Sequence, residues 1–231
     1  MKPLALITGV GPGTGAAMAR RFAAGGYRVA MLARSAERLS ELEKALPDSI
    51  AVACDVADPV ALDAALAGLE AEHGLPKVVV HNAVGGAFGN FQQIEPQVLE
   101  TNFQVNVMAL LHLARRYADA LAAAEGALIV TGNTSALRGK ASFAGFAPTK
   151  AAQRILAESI AREMGPKGLH VAYLMIDAVI DLPWTRARFT DKPDDYFIKP
   201  SAIADEAFHL AHQDRSAWTF LAEVRPFGET W

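Results

Sequence analysis

Eight residues near the start of the chain, residues 8–15, restrict its fold more than any other segment. Their sequence is TGVGPGTG; an apolar run at residues 4–8 precedes them, and an amphipathic stretch follows at residues 16–24. These flanks are predicted to be a buried strand and a helix. Glycine is needed where a chain turns tightly and where its backbone approaches a pyrophosphate without a Cβ in the way. The helix after such a turn directs its N–H groups and the positive end of its dipole at the phosphate. The segment therefore predicts an α/β domain that binds a dinucleotide.

The glycine spacing differs from the common G-x-G-x-x-G fingerprint, because the sixth residue counted from Gly9 is Thr14. The pattern is instead G-x-x-x-G-x-G. A tight strand-to-helix turn without a ligand is the alternative interpretation, but the strand before it and the helix after it favour a nucleotide. The residues of this turn that we expect to bind the cofactor are Gly9, Gly11, Pro12, Gly13, Thr14 and Gly15.

The end of the second predicted strand indicates which dinucleotide is bound. In NAD-binding proteins an acidic residue at this point accepts the ribose 2′-hydroxyl, whereas an arginine accommodates a 2′-phosphate. Here Ala33 stands where the carboxylate would be, and Arg34 and Ser35 follow it. A solvated surface arginine is the alternative, but a guanidinium matches phosphate geometry. We therefore expect Arg34 and Ser35 to bind the cofactor and NADP(H) to be favoured over NAD(H).

The rest of the chain alternates short apolar runs with longer amphipathic stretches. Strands are predicted at residues 4–8, 29–33, 50–54, 78–80, 128–130, 170–176 and 218–224, and helices at 16–24, 37–45, from 59 onward, about 96–124, 150–164 and 201–212. Apolar strands that are each followed by a helix imply a parallel sheet covered on both faces. With 231 residues, 52% of them hydrophobic, the chain can bury one large core. We predict a single Rossmann-type doubly wound α/β domain over residues 1–231, with a mainly parallel seven-stranded sheet and helices on both faces.

Composition and charge argue against several other functions. A formal charge of -3 gives no electrostatic footprint for nucleic acid. No apolar run approaches the ~18 residues of a membrane span, and the start of the chain lacks the apolar stretch of a signal peptide. The single cysteine, Cys54, cannot form an internal disulfide, and no Cys/His cluster has zinc spacing. We therefore expect a cytoplasmic protein without a bound metal, acting on a small molecule.

Several later segments, taken with the glycine turn, resemble the short-chain dehydrogenase/reductase family over essentially the whole chain. The carriers of the resemblance are Asp55-Val56 after the third predicted strand, His81-Asn82-Ala83-Val84-Gly85 after the fourth, Asn106 in the long helix, and Lys150 in PTKAA. The family's adenine contact falls on Asp55 and Val56, and further cofactor contacts fall on Asn82, Ala83 and Val84.

The resemblance also implies roles nearer the chemistry. Lys150 matches the catalytic lysine that binds the nicotinamide ribose, and Asn106 matches an asparagine that helps to hold a proton-relay water. Cofactor contacts are further expected after the sixth strand, at Asp177, Val179 and Ile180. Residues 182–200 match the mobile substrate lid. A homodimer or homotetramer is implied, joined through the helices that carry Asn106 and Lys150.

The chain departs from the family pattern at the acid–base residues. The family tyrosine, four residues before the lysine, is replaced by Phe146, whose phenyl ring neither donates nor accepts a proton. The position of the family serine falls on Asn133, with Ser135 close by. The family's Pro-Gly is replaced by Asp177-Ala178, and a nearby threonine by Leu182. The cofactor machinery is therefore kept, and the acid–base machinery is altered.

The leading hypothesis is an atypical NADP(H)-dependent oxidoreductase that transfers a hydride to or from a small organic substrate at a carbonyl, imine or activated alkene. Its catalytic set is Lys150, Asn106, Ser135 and Asn133, with Phe146 at the tyrosine position. Either another group supplies the proton, or the substrate needs no enzyme acid. The candidate replacement acids are Thr134, Ser135, Ser142, Asp177 and Asp181. The rival hypothesis is a catalytically silent NADP(H)-binding sensor or partner subunit.

Overall fold

The computed structural model describes residues 2–228, whose centre is a seven-stranded sheet in the order β3-β2-β1-β4-β5-β6-β9. Every pairing between these seven strands is parallel, which confirms the predicted doubly wound α/β fold. The strands are β1 Leu4–Thr8, β2 Arg28–Ala33, β3 Ser49–Ala53, β4 Val78–His81, β5 Ala127–Asn133, β6 His170–Ile176 and β9 Leu221–Val224.

Helices cover both faces of the sheet, and each face has its own apolar core. One core contains side chains of α1, α2 and α8, and the other contains side chains of α3, α5 and α6. The helices are α1 Thr14–Ala24, α2 Ala36–Ala45, α3 Pro59–His73, α4 Pro96–Phe103, α5 Ala109–Ala123, α6 Ala147–Met164, α7 Pro183–Arg188 and α8 Pro200–Ala211. Within residues 2–228, no helix combines the length and apolar character that a membrane span requires.

Several predicted elements differ in their bounds from the observed ones, three of them most clearly. The long helix predicted at about 96–124 is divided by a π-helical turn, Gln104–Met108, between α4 and α5. The helix predicted from residue 150 begins at Ala147, because Pro148 fits the first helical turn, where its missing N–H leaves no intrahelical bond unmade. The last strand is also shorter than predicted, since it begins at Leu221.

The proposed lid segment, residues 182–200, contains regular structure that the sequence did not predict. It includes α7 and ends in a short strand, β8 Phe197–Ile198. That strand pairs in parallel with β7 Val179–Ile180, which directly precedes the segment. The backbone of residues 179–198 is therefore tied together by its own two-stranded sheet.

The strand order reverses at β1, which pairs with β2 on one side and with β4 on the other. In doubly wound sheets, ligands bind in the crevice outside the carboxyl ends of the strands at such a switch point. The glycine turn leaves β1 at this edge, and residues 82–85 leave β4 beside it. The fold thus brings the sequence motifs together.

Candidate active site

The glycine turn approaches the segment after β4 so closely that a side chain would not fit. Gly9 has φ +71°, and a Cβ placed on it would lie 2.5 Å from both the Cα and the N of Ala83. A Cβ on Gly15 would lie 2.5 Å from the Gly9 carbonyl oxygen. At Gly11, by contrast, no atom of the described residues lies within 4 Å of the Cβ position. The turn is therefore packed on its inner side and open at Gly11.

The start of α1 matches an anion-binding helix terminus. The helix begins at Thr14, and no side chain within residues 2–228 caps it at Gly13. Its first N–H groups thus lack the usual side-chain partner that satisfies a helix start. This terminus offers N–H donors of the kind that bind a phosphate, next to the open position at Gly11.

Leu182 covers part of the same turn. A Cβ on Gly13 would lie 2.8 Å from Leu182 Cδ2, so the lid segment rests directly on the glycine turn. The buried Thr185 holds this contact in place, because its hydroxyl donates to the Ile180 carbonyl at 2.6 Å and accepts the Leu182 N–H at 3.0 Å. Asp177, by contrast, extends the pairing of β6 with β9, since its N–H donates to the Val224 carbonyl at 2.9 Å.

The residues expected to contact the adenosine half lie just beyond β2 and β3. Arg34 is exposed and directly follows β2. Ser35 caps α2, accepting the Arg38 N–H at 3.4 Å. The Asp55 carboxylate accepts the Ala57 N–H at 3.0 Å, and Val56 is buried beside it. The structure thus places all four predicted residues along the carboxyl edge of the sheet.

Asn82, after β4, ties three strands together at the switch point. Its Nδ2 donates to the Gly9 carbonyl at 2.9 Å, and its Oδ1 accepts the Thr131 hydroxyl of β5 at 3.1 Å. Ala83 is buried against Gly9, whereas Val84 is exposed. The predicted residues 82–84 therefore run from the packed side of the turn to its open side.

His81, a departure from the family motif, is fully buried between β1 and the π-helical turn. Its Nδ1 lies 3.0 Å from Thr8 Oγ1, and its Nε2 lies 3.1 Å from the Val105 carbonyl. Since that carbonyl can only accept, the proton is on Nε2 and the Thr8 hydroxyl donates to Nδ1. Thr8 Oγ1 in turn accepts the N–H groups of Asn82 and Ala83. A neutral imidazole satisfies this network.

The burial of His81 predicts a loss of stability in acid. Burial, together with the charge of Lys150, lowers the pKa of His81 from 6.5 to about 3. Between these values the unfolded chain binds a proton that the folded protein does not, so stability falls as the pH decreases. Relative to a His81→Asn variant, the wild-type free energy of unfolding should decrease by about 1.4 kcal/mol per pH unit in this window. Urea unfolding at several pH values measures it, and the exposed His209→Asn serves as the control. Parallel slopes for wild type and His81→Asn would contradict the assignment.

Lys150 lies in the first turns of α6 and is only 2% exposed. Its Nζ donates to the Thr131 carbonyl at 3.0 Å and to the side-chain oxygen of Gln153. Burial lowers the pKa of Lys150 from 10.5 to about 7. The lysine expected to face the nicotinamide ribose is thus held between β5 and its own helix.

Asn106 lies in the π-helical turn and is fully buried beside the same helix. Its side chain exchanges two hydrogen bonds with the Gly85 backbone, at 2.7 and 3.0 Å, and donates to Thr149 Oγ1 at 2.8 Å. Its main-chain carbonyl accepts the Gln153 Nε2 at 2.9 Å. Sequence reasoning missed Gln153; the available signal was a polar residue one helical turn after Lys150.

Phe146 directly precedes α6 and is 6% exposed. Its ring lies against the Gly86 backbone, since a Cβ there would be 3.1 Å from Phe146 Cδ2, and it meets Phe88 edge-on at 5.7 Å between centroids. Phe88 also contacts Phe143 at 5.0 Å. The tyrosine position is therefore occupied by an aromatic cluster that carries no hydroxyl.

The family serine position is part of a short 3-10 turn after β5. Asn133 caps this turn, because its Oδ1 accepts the Ser135 N–H at 3.1 Å. Ser135 is buried and lines a cavity of about 640 Å³ together with Ser142, Phe143 and Ala147. The two serines are therefore the hydroxyl-bearing candidates at this cavity.

Asp181 is unsuited to the role of replacement acid. Its carboxylate forms a two-pronged ion pair with Arg186, at 2.7 and 3.0 Å, and this partner lowers the pKa of Asp181. The group is therefore ionised near neutral pH. Within residues 2–228, no cluster of three His, Cys, Asp or Glu side chains could hold a metal ion.

The chain is similar to known proteins in both sequence and fold. A family model described as "short chain dehydrogenase" matches residues 3–182. The chain belongs to the short-chain dehydrogenase/reductase family and is an NAD(P)-dependent oxidoreductase by this membership.

Particular relatives differ in substrate and cofactor. D-erythrulose reductase of Gallus gallus is 31% identical over 72% of this chain and 67% of its own length. A metagenomic short-chain oxidoreductase solved with NADP has a TM-score of 0.83 and 30% identity, covering 97% of each chain. The 3-ketoacyl-(acyl-carrier-protein) reductase from Brucella melitensis, solved with NADH, has a TM-score of 0.85 and 25% identity, again covering 97% of each chain.

Proposed function

We propose that the chain, as one domain over residues 1–231, binds NADP(H) and transfers a hydride to or from a small organic substrate without a proton from residue 146. A carbonyl, an imine or an activated alkene is the reacting group. Its relatives include two proteins named as reductases, which supports reduction as the direction. A cytoplasmic homodimer or homotetramer, joined through α5 and α6, is part of the same proposal.

The residues at the switch point suit a dinucleotide. The open position at Gly11 and the uncapped start of α1 would hold the pyrophosphate, and exposed Arg34 would contact the 2′-phosphate. The Lys150 ammonium has three N–H groups, and its two protein partners leave one for a ribose hydroxyl. When bound, the nicotinamide would supply or accept the hydride.

The buried phenyl ring of Phe146 is the observation on which the choice of reacting group rests. A positioned general acid contributes ~10²–10⁴ in rate, and no such group stands at residue 146. A cationic imine accepts a hydride without prior protonation, and an activated alkene can take its proton from water. Both therefore suit this site better than a ketone does.

The walls of the site favour one of these two substrates. The rings of Phe88, Phe143 and Phe146 form one aromatic cluster next to the 640 Å³ cavity, which Phe143 itself lines. Arg138 and Lys140 also line this cavity, so its walls suit an uncharged activated alkene better than a cationic iminium. Ser135 and Ser142 are the hydroxyls that would orient a polar group there.

A panel of acceptors tests this proposal. NADPH oxidation by the wild type should be at least ~100-fold faster with a cyclic iminium or an enone than with a ketone of similar shape. The Phe146→Tyr variant, in which a hydroxyl is added, serves as the comparison for the ketone. Equal wild-type rates with all three acceptors would contradict a site without an enzyme acid.

Catalytically silent NADP(H) binding is the second candidate function. The observation that favours it is the Gln153 amide, which occupies one N–H of Lys150 and the main-chain carbonyl of Asn106. Tight NADPH binding without oxidation by any acceptor of the panel would select this function over the first.

A further inference from the structure

Gln153 is a fully buried amide that links two groups of the candidate active site. Its Oε1 accepts from Lys150 Nζ, and its Nε2 donates to the Asn106 main-chain carbonyl at 2.9 Å. The ammonium can only donate and the carbonyl can only accept, so the amide has one orientation that satisfies both. Turning it over would leave two buried polar groups facing like partners, which is unfavourable.

The backbone around Asn106 contributes to this link. Asn106 lies within the π-helical turn, where the Ala109 N–H bonds to the carbonyl of Gln104, five residues earlier. Irregular helical turns of this kind shift carbonyls away from the regular pattern. The Asn106 carbonyl is thereby directed at α6, where Gln153 reaches it.

We propose that Gln153 is a positioning residue whose amide fills the place of a water between Lys150 Nζ and the Asn106 carbonyl, and so closes this path to proton transfer. A water at this point could pass a proton along. An amide whose two hydrogen bonds are both made cannot. Lys150 Nζ is a donor and the Asn106 carbonyl an acceptor on opposite sides of this amide, and two such partners are what a bridging water needs. Gln153 and Phe146 thus remove the members of one proton path that lie on either side of Lys150.

Lysine titration in the cofactor-free protein tests the hydrogen bond from Lys150 to Gln153. Gln153→Glu places a carboxylate beside the ammonium and should raise the pKa of Lys150, whereas Gln153→Met keeps the volume, removes the acceptor and should lower it. NMR of the lysine side chains measures both shifts. His81 is also buried and lies near Lys150, but its pKa is about 3, and at that pH Lys150 is protonated in every variant. Gln213→Met, at a surface glutamine bonded to Thr219, is the control.

A gain of ketone reduction tests whether Gln153 closes the proton path between Lys150 and the Asn106 carbonyl. Gln153→Ala leaves room for a water with two polar partners, which is sufficient to hold one. Phe146→Tyr alone should reduce a ketone poorly, and Phe146→Tyr combined with Gln153→Ala should be ~10- to 100-fold faster. This arm rests on the proposed hydride transfer, whereas the titration requires no turnover, so the two failures are distinguishable.

The outcomes separate clearly. Opposite shifts in the Glu and Met variants, with a faster double variant, support the proposal. If the pKa of Lys150 shifts in the same direction in both Gln153 variants, or does not shift, Gln153 only fills space. A Phe146→Tyr variant as fast as the double variant would show that the path is open in the wild type. If Gln153→Met does not fold, Gln153→Glu, of nearly identical size, still gives the required sign.

Discussion

Replacing Gly9 by alanine is expected to abolish NADPH binding and to lower the free energy of unfolding by about 2–5 kcal/mol. The left-handed backbone of Gly9, at φ +71°, is strained for any residue with a Cβ. The added Cβ would also lie 2.5 Å from the Ala83 backbone, which cannot move without displacing Asn82 from its hydrogen bond to Gly9. Urea unfolding and fluorescence titration with NADPH measure the two effects.

Two other glycines separate the causes of this effect. Gly26 has φ +91° but no described atom within 4 Å of its Cβ position, so Gly26→Ala should show the backbone strain alone, about 1–2 kcal/mol. Gly11 also has an open Cβ position and no positive φ, so Gly11→Ala should fold normally and weaken NADPH binding. Unchanged NADPH affinity in both Gly9→Ala and Gly11→Ala would show that the turn does not hold the cofactor.

Reversing the charge of Arg34 is expected to reverse the cofactor preference. Hydrogen bonds to charged groups contribute about 1.5–3 kcal/mol, so Arg34→Glu should weaken NADPH binding by ~10- to 100-fold. The new carboxylate can accept a ribose 2′-hydroxyl, so NADH affinity should stay the same or rise. Titration of both cofactors against wild type and variant measures the change.

Arg38, also exposed and one turn further along α2, provides the matched control. Arg38→Glu changes the net charge equally but is not at the end of β2, so it should leave the ratio of NADPH to NADH affinity nearly unchanged. An equal loss in both variants would indicate a general electrostatic effect rather than a 2′-phosphate contact.

Local sequence patterns were sufficient to predict the sheet and the placement of the glycine turn, Arg34 and Asn82 at its carboxyl edge. Continuous apolar strands such as β4, alternating with amphipathic helices, leave the parallel doubly wound sheet as the natural arrangement. The place of the glycine turn followed from the same logic, because the carboxyl ends of parallel strands share one edge. Its neighbours Arg34 and Asn82 lie there for this reason.

Contacts between elements distant in sequence could not be predicted. The local sequence does not predict the π-helical turn around Asn106, because this turn packs against α6, which is distant in sequence. Glutamine is common in helices, and only the fold shows that Gln153 bridges Lys150 and the π-helical turn. Leu182 was recognised as a departure from the family pattern, but its contact with Gly13 depends on how residues 179–198 fold back.

The altered acid–base residues form one connected region rather than isolated substitutions. Phe146 packs under Phe88, and Lys150, four residues later, bonds to Gln153. Burial lowers the pKa of Lys150 to about 7, so its charge is partly lost near neutral pH. Under the proposed function, the bound cofactor would exchange the hydride at this site and water would supply the proton.

The most direct test of hydride transfer without an enzyme acid uses NADPH in which both hydrogens at C4 of the dihydronicotinamide are deuterium. Wild-type protein is incubated with this cofactor and a cyclic iminium, and the product is analysed by mass spectrometry. We expect one deuterium at the reduced carbon, and a rate that Phe146→Tyr does not raise. Absence of deuterium from the product, although NADPH binds, would contradict hydride transfer by this chain.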